Sequence, residues 1–253
     1  MIVLLSPAKT LDETAPDYQG YSTPRFLPES DKLVNVLKKK SARSLKKLMG
    51  VSDAIATLNV ERFQNFETPF SLDNAKQALF AFKGDVYLGL EAETFTEEDI
   101  IFAQKHLRIL SGLYGLLRPL DLMQPYRLEM GTPLKQGRRK NLYEYWNTKI
   151  TELINEDLEA SGNDLIINLA SKEYFHAVKP SALKGQLVHV HFKELRNGEY
   201  KVISFNAKKA RGAMAKQLVV HRITDIDAMK TLEVDGYQFN PMLSEAHELY
   251  FTK

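Results

Sequence analysis

The chain has 253 residues, 44% of them hydrophobic and 26% charged, a composition that excludes a disordered segment and suffices for one large domain, or two small ones, with a buried core. It contains no cysteine, which excludes disulfides, thiolate metal sites, iron–sulfur clusters held by its own thiolates and thiol-based peroxide chemistry. Lys and Arg number 34 against 32 Asp and Glu, so the net charge of +2 gives no global attraction to a polyanion, and any such site must come from local segregation of charge.

The amino-terminal MIVLLSPAKT holds a short apolar run with no basic region before it, far below the roughly 20 residues of a membrane span. It predicts a buried first strand in a cytoplasmic protein with no membrane partner. From Leu11 to Pro28, three prolines (Pro16, Pro24 and Pro28) among polar residues read as an irregular excursion. Helical spacing follows as far as residue 78. Ser30 is placed to cap DKLVNVLKKK, SARSLKKLMG ends at Gly50, Ser52 opens DAIATLNVERFQNF, and Ser71 precedes LDNAKQAL. LFAFKGD reads as a strand running into a turn, and Thr96 with Asp99 forms a capping pair for EEDIIFAQKHL.

DLIINLAS has the pattern of a strand buried on both faces, with Ser171 capping KEYFHAV. QLVHVHFKEL and GEYKVISF flank Arg196-Asn197-Gly198, an Asn-Gly hairpin signal. Strands alternating with helices, plus an antiparallel hairpin, predict an α/β (mixed α+β) fold with a mixed sheet surrounded by helices. With no fixed-period repeat and no convincing linker, residues 1–253 read as a single compact domain.

Three segments gather positive charge. In SFNAKKARGAMAKQLVVHR, Ser204 to Arg222, the cations Lys208, Lys209, Arg211, Lys216 and Arg222 stand without an acid and fall within about 160° of one helix face, opposite Ala207, Ala210, Met214 and Leu218. In HLRILSGLYGLLRPLDLMQPYRLEMG, Gly112 and Gly115 bracket Leu113-Tyr114, which permits a tight reversal with positive φ at either glycine, and Arg108, Arg118 and Arg127 surround it. Such a reversal between short helices grips a nucleic-acid backbone as a helix-hairpin-helix module does. Here, though, two residues separate the glycines where that module usually has one, and Pro119 limits the second helix. A glycine turn demanded by the fold, with three surface arginines, is the alternative. KQGRRKN places Lys135, Arg138, Arg139 and Lys140 around Gly137, either at phosphates or in a solvated loop.

Two strand ends offer anion ligands. LLSPAKT supplies Ser6, Lys9 and Thr10, and NLASKEY supplies Asn168, Ser171 and Lys172; ligands commonly sit beyond the carboxyl ends of parallel strands, though the glycines of a phosphate-binding loop are missing. His189 and His191 share a strand face without a third ligand at a telling spacing, so no metal and no cofactor is expected. Tyr114, Tyr126, Tyr143, Tyr145 and Trp146 lie near the arginines, as aromatics that stack on bases do, or else anchor the core. No catalytic constellation is identifiable.

LLSPAKT, AFKGDVYLGL, HLRILSGLYGLLRPLDLMQPYRLEMG, NLASKEYF and SFNAKKARGAMA, in this order along nearly the whole chain, resemble the successive signatures of the YaaA family of bacterial peroxide stress resistance proteins. The resemblance implies a cytoplasmic protein that limits hydrogen peroxide damage and is associated with low unincorporated iron. It also implies a mixed α/β fold with a positively charged cleft, a helix-hairpin-helix-like element and an ability to bind DNA. It supplies no catalytic residue. The leading expectation is therefore a DNA-binding protein without sequence specificity, with Lys208, Lys209, Arg211 and Lys216 on one wall of a cleft and Arg108, Arg118 and Arg127 on another, preferring bent, branched or locally opened duplexes. The rival is an enzyme acting on a phosphorylated or nucleotide-like small molecule in a crevice around Lys9.

Overall fold

The computed structural model describes residues 1–14 and 18–253, so Pro16 of the predicted excursion lies outside the described residues. The strands are β1 (Ile2–Leu5), β2 (Thr10–Leu11), β3 (Lys76–Gln77), β4 (Phe82–Lys83), β5 (Leu107–Ser111), β6 (Gly115–Leu117), β7 (Leu122–Met123), β8 (Leu165–Asn168), β9 (Gln186–Arg196), β10 (Glu199–Lys201), β11 (Gln238–Phe239) and β12 (Glu248–Thr252). The helices are α1 (Leu27–Leu37), α2 (Ala42–Met49), α3 (Asp53–Gln64), α4 (Ala78–Ala81), α5 (Asp85–Leu90), α6 (Glu97–His106), α7 (Leu142–Trp146), α8 (Lys149–Ala160), α9 (Lys172–Phe175), α10 (Ser204–Val220) and α11 (Ile226–Lys230).

The fold is mixed α/β, with one dominant sheet in the order β11-β12-β9-β8-β1-β5-β6 and β10 paired to β9. Its five central strands, β12, β9, β8, β1 and β5, run parallel, and β6 and β11 close the edges antiparallel. Every residue of β1, β5 and β8 is buried, as strands covered on both faces require. One core cluster joins β1, β5, β6 and β8 to α1, α6, α8 and α10.

Several predicted ends are observed. Ser52 caps α3, Gly50 stops α2 at φ 63°, Thr96 and Asp99 form a reciprocal capping box on α6, and Ser171 caps α9; Ser41, not among the caps read from the sequence, opens α2. Asn197 and Gly198, at φ 53° and 81°, turn β9 into β10. Three assignments differ. The first helix starts at Leu27 because Pro28 suits a first turn, and Ser30 bonds back to Phe26 O from inside it. Ser71 holds a turn through Asp73 N and Asn74 instead of opening a helix. LFAFKGD forms the single helical turn α4 and only then the two-residue β4.

Candidate functional site

The reversal at Gly112 to Gly115 connects two strands, β5 and β6, and is a β-hairpin; the helix-hairpin-helix reading of these residues is corrected. Gly115 takes the expected positive φ of 70°, while a Cβ on Gly112 would lie 2.2 Å from Leu128 O. Leu113 and Tyr114 are fully buried, and the indole of Trp146 donates to Gly112 O. Apolar runs on both sides of the glycines leave no polar helix face, so they go into the sheet, and the turn goes with them away from any phosphate.

The surrounding arginines are spent internally. Arg108, 4% exposed, donates through Nε to Asp157 at 2.5 Å and through Nη1 to Gln104 O and Leu107 O, so it forms no wall of a cleft. Arg25 holds both oxygens of the same Asp157 at 2.7 and 2.8 Å. Burial pushes the Asp157 carboxyl up, but the hydrogen bonds from Arg25 and Arg108 prevail and leave it below its ordinary value. Arg118 clasps the buried Asp121, and Arg127 pairs with Glu129 at 2.9 Å while its Nε is buried without a partner. Arg138 and Arg139 are exposed in a turn at Gly137, with Arg139 bonded to Glu144 O. Tyr114, Tyr126, Tyr145 and Trp146 are core residues, which removes them as stacking surfaces.

On α10 the cationic stripe meets acids from elsewhere in the chain. Lys208 faces Asp85 at 3.4 Å, Lys209 faces Asp235 at 3.4 Å, Lys216 meets Glu91 at 2.5 Å, and Arg222 just beyond the helix meets Asp99 at 2.6 Å. The buried face is wider than the sequence suggests because α5 crosses α10 at Gly89 and Gly212, and Arg211 is half-buried at its edge, next to buried Ala210 and Gly212. This helix does not present an unpaired cationic face.

Two segments do: the exposed turn of residues 135–140, and KKKSARSLKK, residues 38–47, which has six cations and no acid. The latter is not one of the three basic segments picked out by sequence alone. Lys38 donates to Phe66 O and Lys46 pairs with Asp53 at 2.7 Å, whereas Lys39, Arg43 and Lys47 project from the surface. Lys40 beside them is half-buried. Two helices, α2 and α3, pack on one another here across a turn of three residues, Gly50, Val51 and Ser52. The amides of Gly50 and Val51 both return to Lys46 O, and Ser52 Oγ takes the Ile55 amide. As at any helix start, the amides of Asp53 and Ala54 have no intrahelical partner. Gly50 followed by Ser52 is the sequence signal for this hairpin, and both cap residues are visible without the structure.

The two strand ends singled out for anions do lie together, since β1 and β8 are neighbours. Ser171 N donates to Ser6 Oγ at 2.9 Å and Leu169 N to Leu4 O at 3.0 Å. Tyr87, from α5, donates to Ser6 O at 3.1 Å. Burial pushes the Tyr87, Tyr126 and Tyr174 hydroxyls up, reinforced at Tyr87 by Tyr126 and Tyr174 and at Tyr174 by Tyr126, Glu173 and Glu129. Lys9 reaches Glu129 at 3.1 Å, the carboxylate that also holds Arg127. Asn168 is buried and used structurally, bonding His189 Nδ1 and the Ala170 amide; Thr10 and Lys172 are exposed at the rim. His191 is likewise engaged, with Glu248. A separate cavity of about 800 Å³, lined by Asp12, Lys76, Phe80, Phe82, Tyr87 and Phe95 among others, contains none of the residues selected from sequence. Lys76 there is lowered by burial.

No helix among the described residues is long and apolar enough to cross a membrane. The profile of a family described as peroxide stress protein YaaA matches residues 1–243. A relative from Alteromonas mediterranea, described as a UPF0246 protein, is 50% identical over 254 residues, spanning 100% of this chain and 98% of its own.

Proposed function

Because the chain belongs to the YaaA family of peroxide stress proteins, we propose that it serves oxidative stress resistance by binding DNA without sequence specificity, and that the gripping element is the hairpin α2–Gly50-Val51-Ser52–α3. Limiting iron-driven oxidative DNA damage is the cellular role that this binding serves. The observation that carries the reading is the exposed positive charge of residues 38–47 along the first helix of the hairpin: Lys47 lies in its last turn beside the Gly50-Val51-Ser52 reversal, Arg43 in its first turn, and Lys39 and Lys40 ahead of it, next to the far end of α3, where Gln64 bonds Lys38 O. Free first-turn amides and a helix's positive end favour a phosphate oxygen. Lysines supply sequence-independent affinity through counterion release. Contacts of this kind read backbone position and shape, not bases, so a bent or branched duplex that brings two phosphate rows to the hairpin gains over a straight one.

Asp53 is the opposing feature, because its carboxylate sits at the start of α3. Its pairing with Lys46 offsets much of the repulsion.

The test is a pair of multiple variants. Replacing Lys39, Lys40, Arg43 and Lys47 together with Ala should weaken duplex binding by about 100-fold or more at moderate salt, with each lost phosphate contact removing its share of counterion release. Replacing Lys208, Lys209 and Lys216 with Ala should change it less than about 2-fold, since those side chains already hold carboxylates. Electrophoretic mobility shifts with a labelled duplex read both. The reverse pattern would return the interface to α10 and sink the hairpin reading.

A further inference from the structure

Arg211 is a half-buried cation without a counter-charge among the described residues. Its Nε is buried with no hydrogen-bond partner, and it makes no ion pair among the described residues. Desolvation lowers its pKa with no compensating neighbour. A desolvated, unpaired charge is costly, and the neighbouring cations Lys208, Lys209 and Lys216 of the same helix have each been given a carboxylate. An anion that arrives from outside the chain would resolve the imbalance.

The topology says where it would arrive. His189 of β9 is level with Asn168 of β8, and Asn168 with Leu4 of β1. Glu194 lies five residues further along β9, about 16 Å beyond those strand ends. Asn206 near the start of α10 bonds Glu194 at 2.6 Å, and the chain beyond the helix returns to the opposite edge, where Thr224 O accepts from Asn163 ahead of β8. So α10 runs back against the strands. Arg211, five residues past Asn206 and about 7.5 Å down the axis, is carried above the carboxyl ends of β1 and β8. It stands on the sheet-facing side with Ala207 and Met214. Ser6 and Ser171 follow those carboxyl ends; each Oγ accepts a backbone amide, which leaves its own proton to donate.

We propose that Arg211 is the clamp of an oxyanion site between α10 and the carboxyl ends of β1 and β8, taking a small molecule that carries a phosphate or carboxylate group. Ser6 and Ser171 donate hydroxyl hydrogen bonds to the same group. Lys9, held at the rim by Glu129, meets the more exposed part of the molecule. A planar guanidinium binds either oxyanion in two-pronged fashion, and the position matches where parallel sheets hold ligands. The site is separate from the α2–α3 hairpin and does not depend on it.

The experiment is thermal unfolding of the full chain at constant ionic strength in chloride, in phosphate and in acetate. Phosphate or acetate at about ten times its Kd should raise the wild-type midpoint by roughly 2–4 °C over chloride; which of the two does so assigns the oxyanion. Arg211→Met should be at least as stable as wild type in chloride, because it removes an unpaired charge, and should lose the anion-dependent rise. Arg211→Lys, which keeps the charge, should retain a smaller rise. No rise in wild type with either anion, or an equal rise in wild type and Arg211→Met, would overturn the assignment. So would a Met variant several degrees less stable in chloride, which would make Arg211 a structural cation.

Discussion

Gly212→Ala is expected to destabilise the protein by at least about 3 kcal/mol, the upper part of the range for overpacking. A Cβ at that position would stand 1.7 Å from Val86 O and 2.8 Å from Leu90 N, and the reciprocal Cβ on Gly89 would stand 2.1 Å from Lys209 O. These neighbours are backbone atoms, which no rotamer change can move. The helices must separate. Separation of α5 from α10 pulls on Tyr87, which bonds Ser6 O, and breaks the flanking pairs Lys208–Asp85 and Lys216–Glu91. Gly137→Ala makes the control: its φ is 59° but nothing lies within 4 Å of the added carbon, so it should cost about 1 kcal/mol of backbone strain. Urea unfolding compares the two, and a Gly212→Ala midpoint close to wild type would contradict the crossing geometry.

Asp157→Ala is expected to cost about 3–5 kcal/mol, the penalty for removing one partner of a buried ion pair. Arg108 is buried and its strongest partner is this carboxylate. Arg25, only partly buried, loses the same partner but can turn to water. The same residue gives a pH dependence with a definite sign. Its carboxyl is held below the ordinary value in the folded state, so its contribution is present above the unfolded carboxylate pKa of about 4 and is lost as the pH falls through the lower, folded value. Wild type should therefore lose stability in acid more steeply than Asp157→Asn. Replacing the pair with apolar side chains, Arg108→Met with Asp157→Leu, should recover most of the loss in guanidinium unfolding. A single Asp157→Ala variant within about 1 kcal/mol of wild type would show that Arg108 finds another partner.

Local chemistry was legible where a few adjacent residues decide the outcome. Gly50, Ser52 and Ser171 bound their helices as their side chains or φ freedom require, and Asn197-Gly198 turns its hairpin. That LLSPAKT and NLASKEY end side by side is a matter of strand order, which neither segment encodes by itself. What local pattern does not encode is the partner across the fold. The arc of cations on α10 reads as a wet face because Asp85, Glu91 and Asp235, which neutralise it, are distant in sequence. Likewise the spacing of Gly112 and Gly115 does not tell a strand turn from a helix turn, and burial on all sides decides it. The cluster at residues 38–47 met the criterion applied to α10, positive charge without acids. Among the described residues its ion pair is Lys46–Asp53, and Lys39, Arg43 and Lys47 stay exposed.

The most direct test of DNA binding by the α2–α3 hairpin is the slope of log Kobs against log salt concentration, measured by fluorescence anisotropy on a labelled plain duplex and a branched one. With four cations of residues 39–47 on phosphates, the variant lacking Lys39, Lys40, Arg43 and Lys47 should show a slope smaller than wild type by about 3 to 4 on both duplexes. The same slope in variant and wild type would mean that these side chains release no counterions, and the hairpin would not be the DNA-binding element.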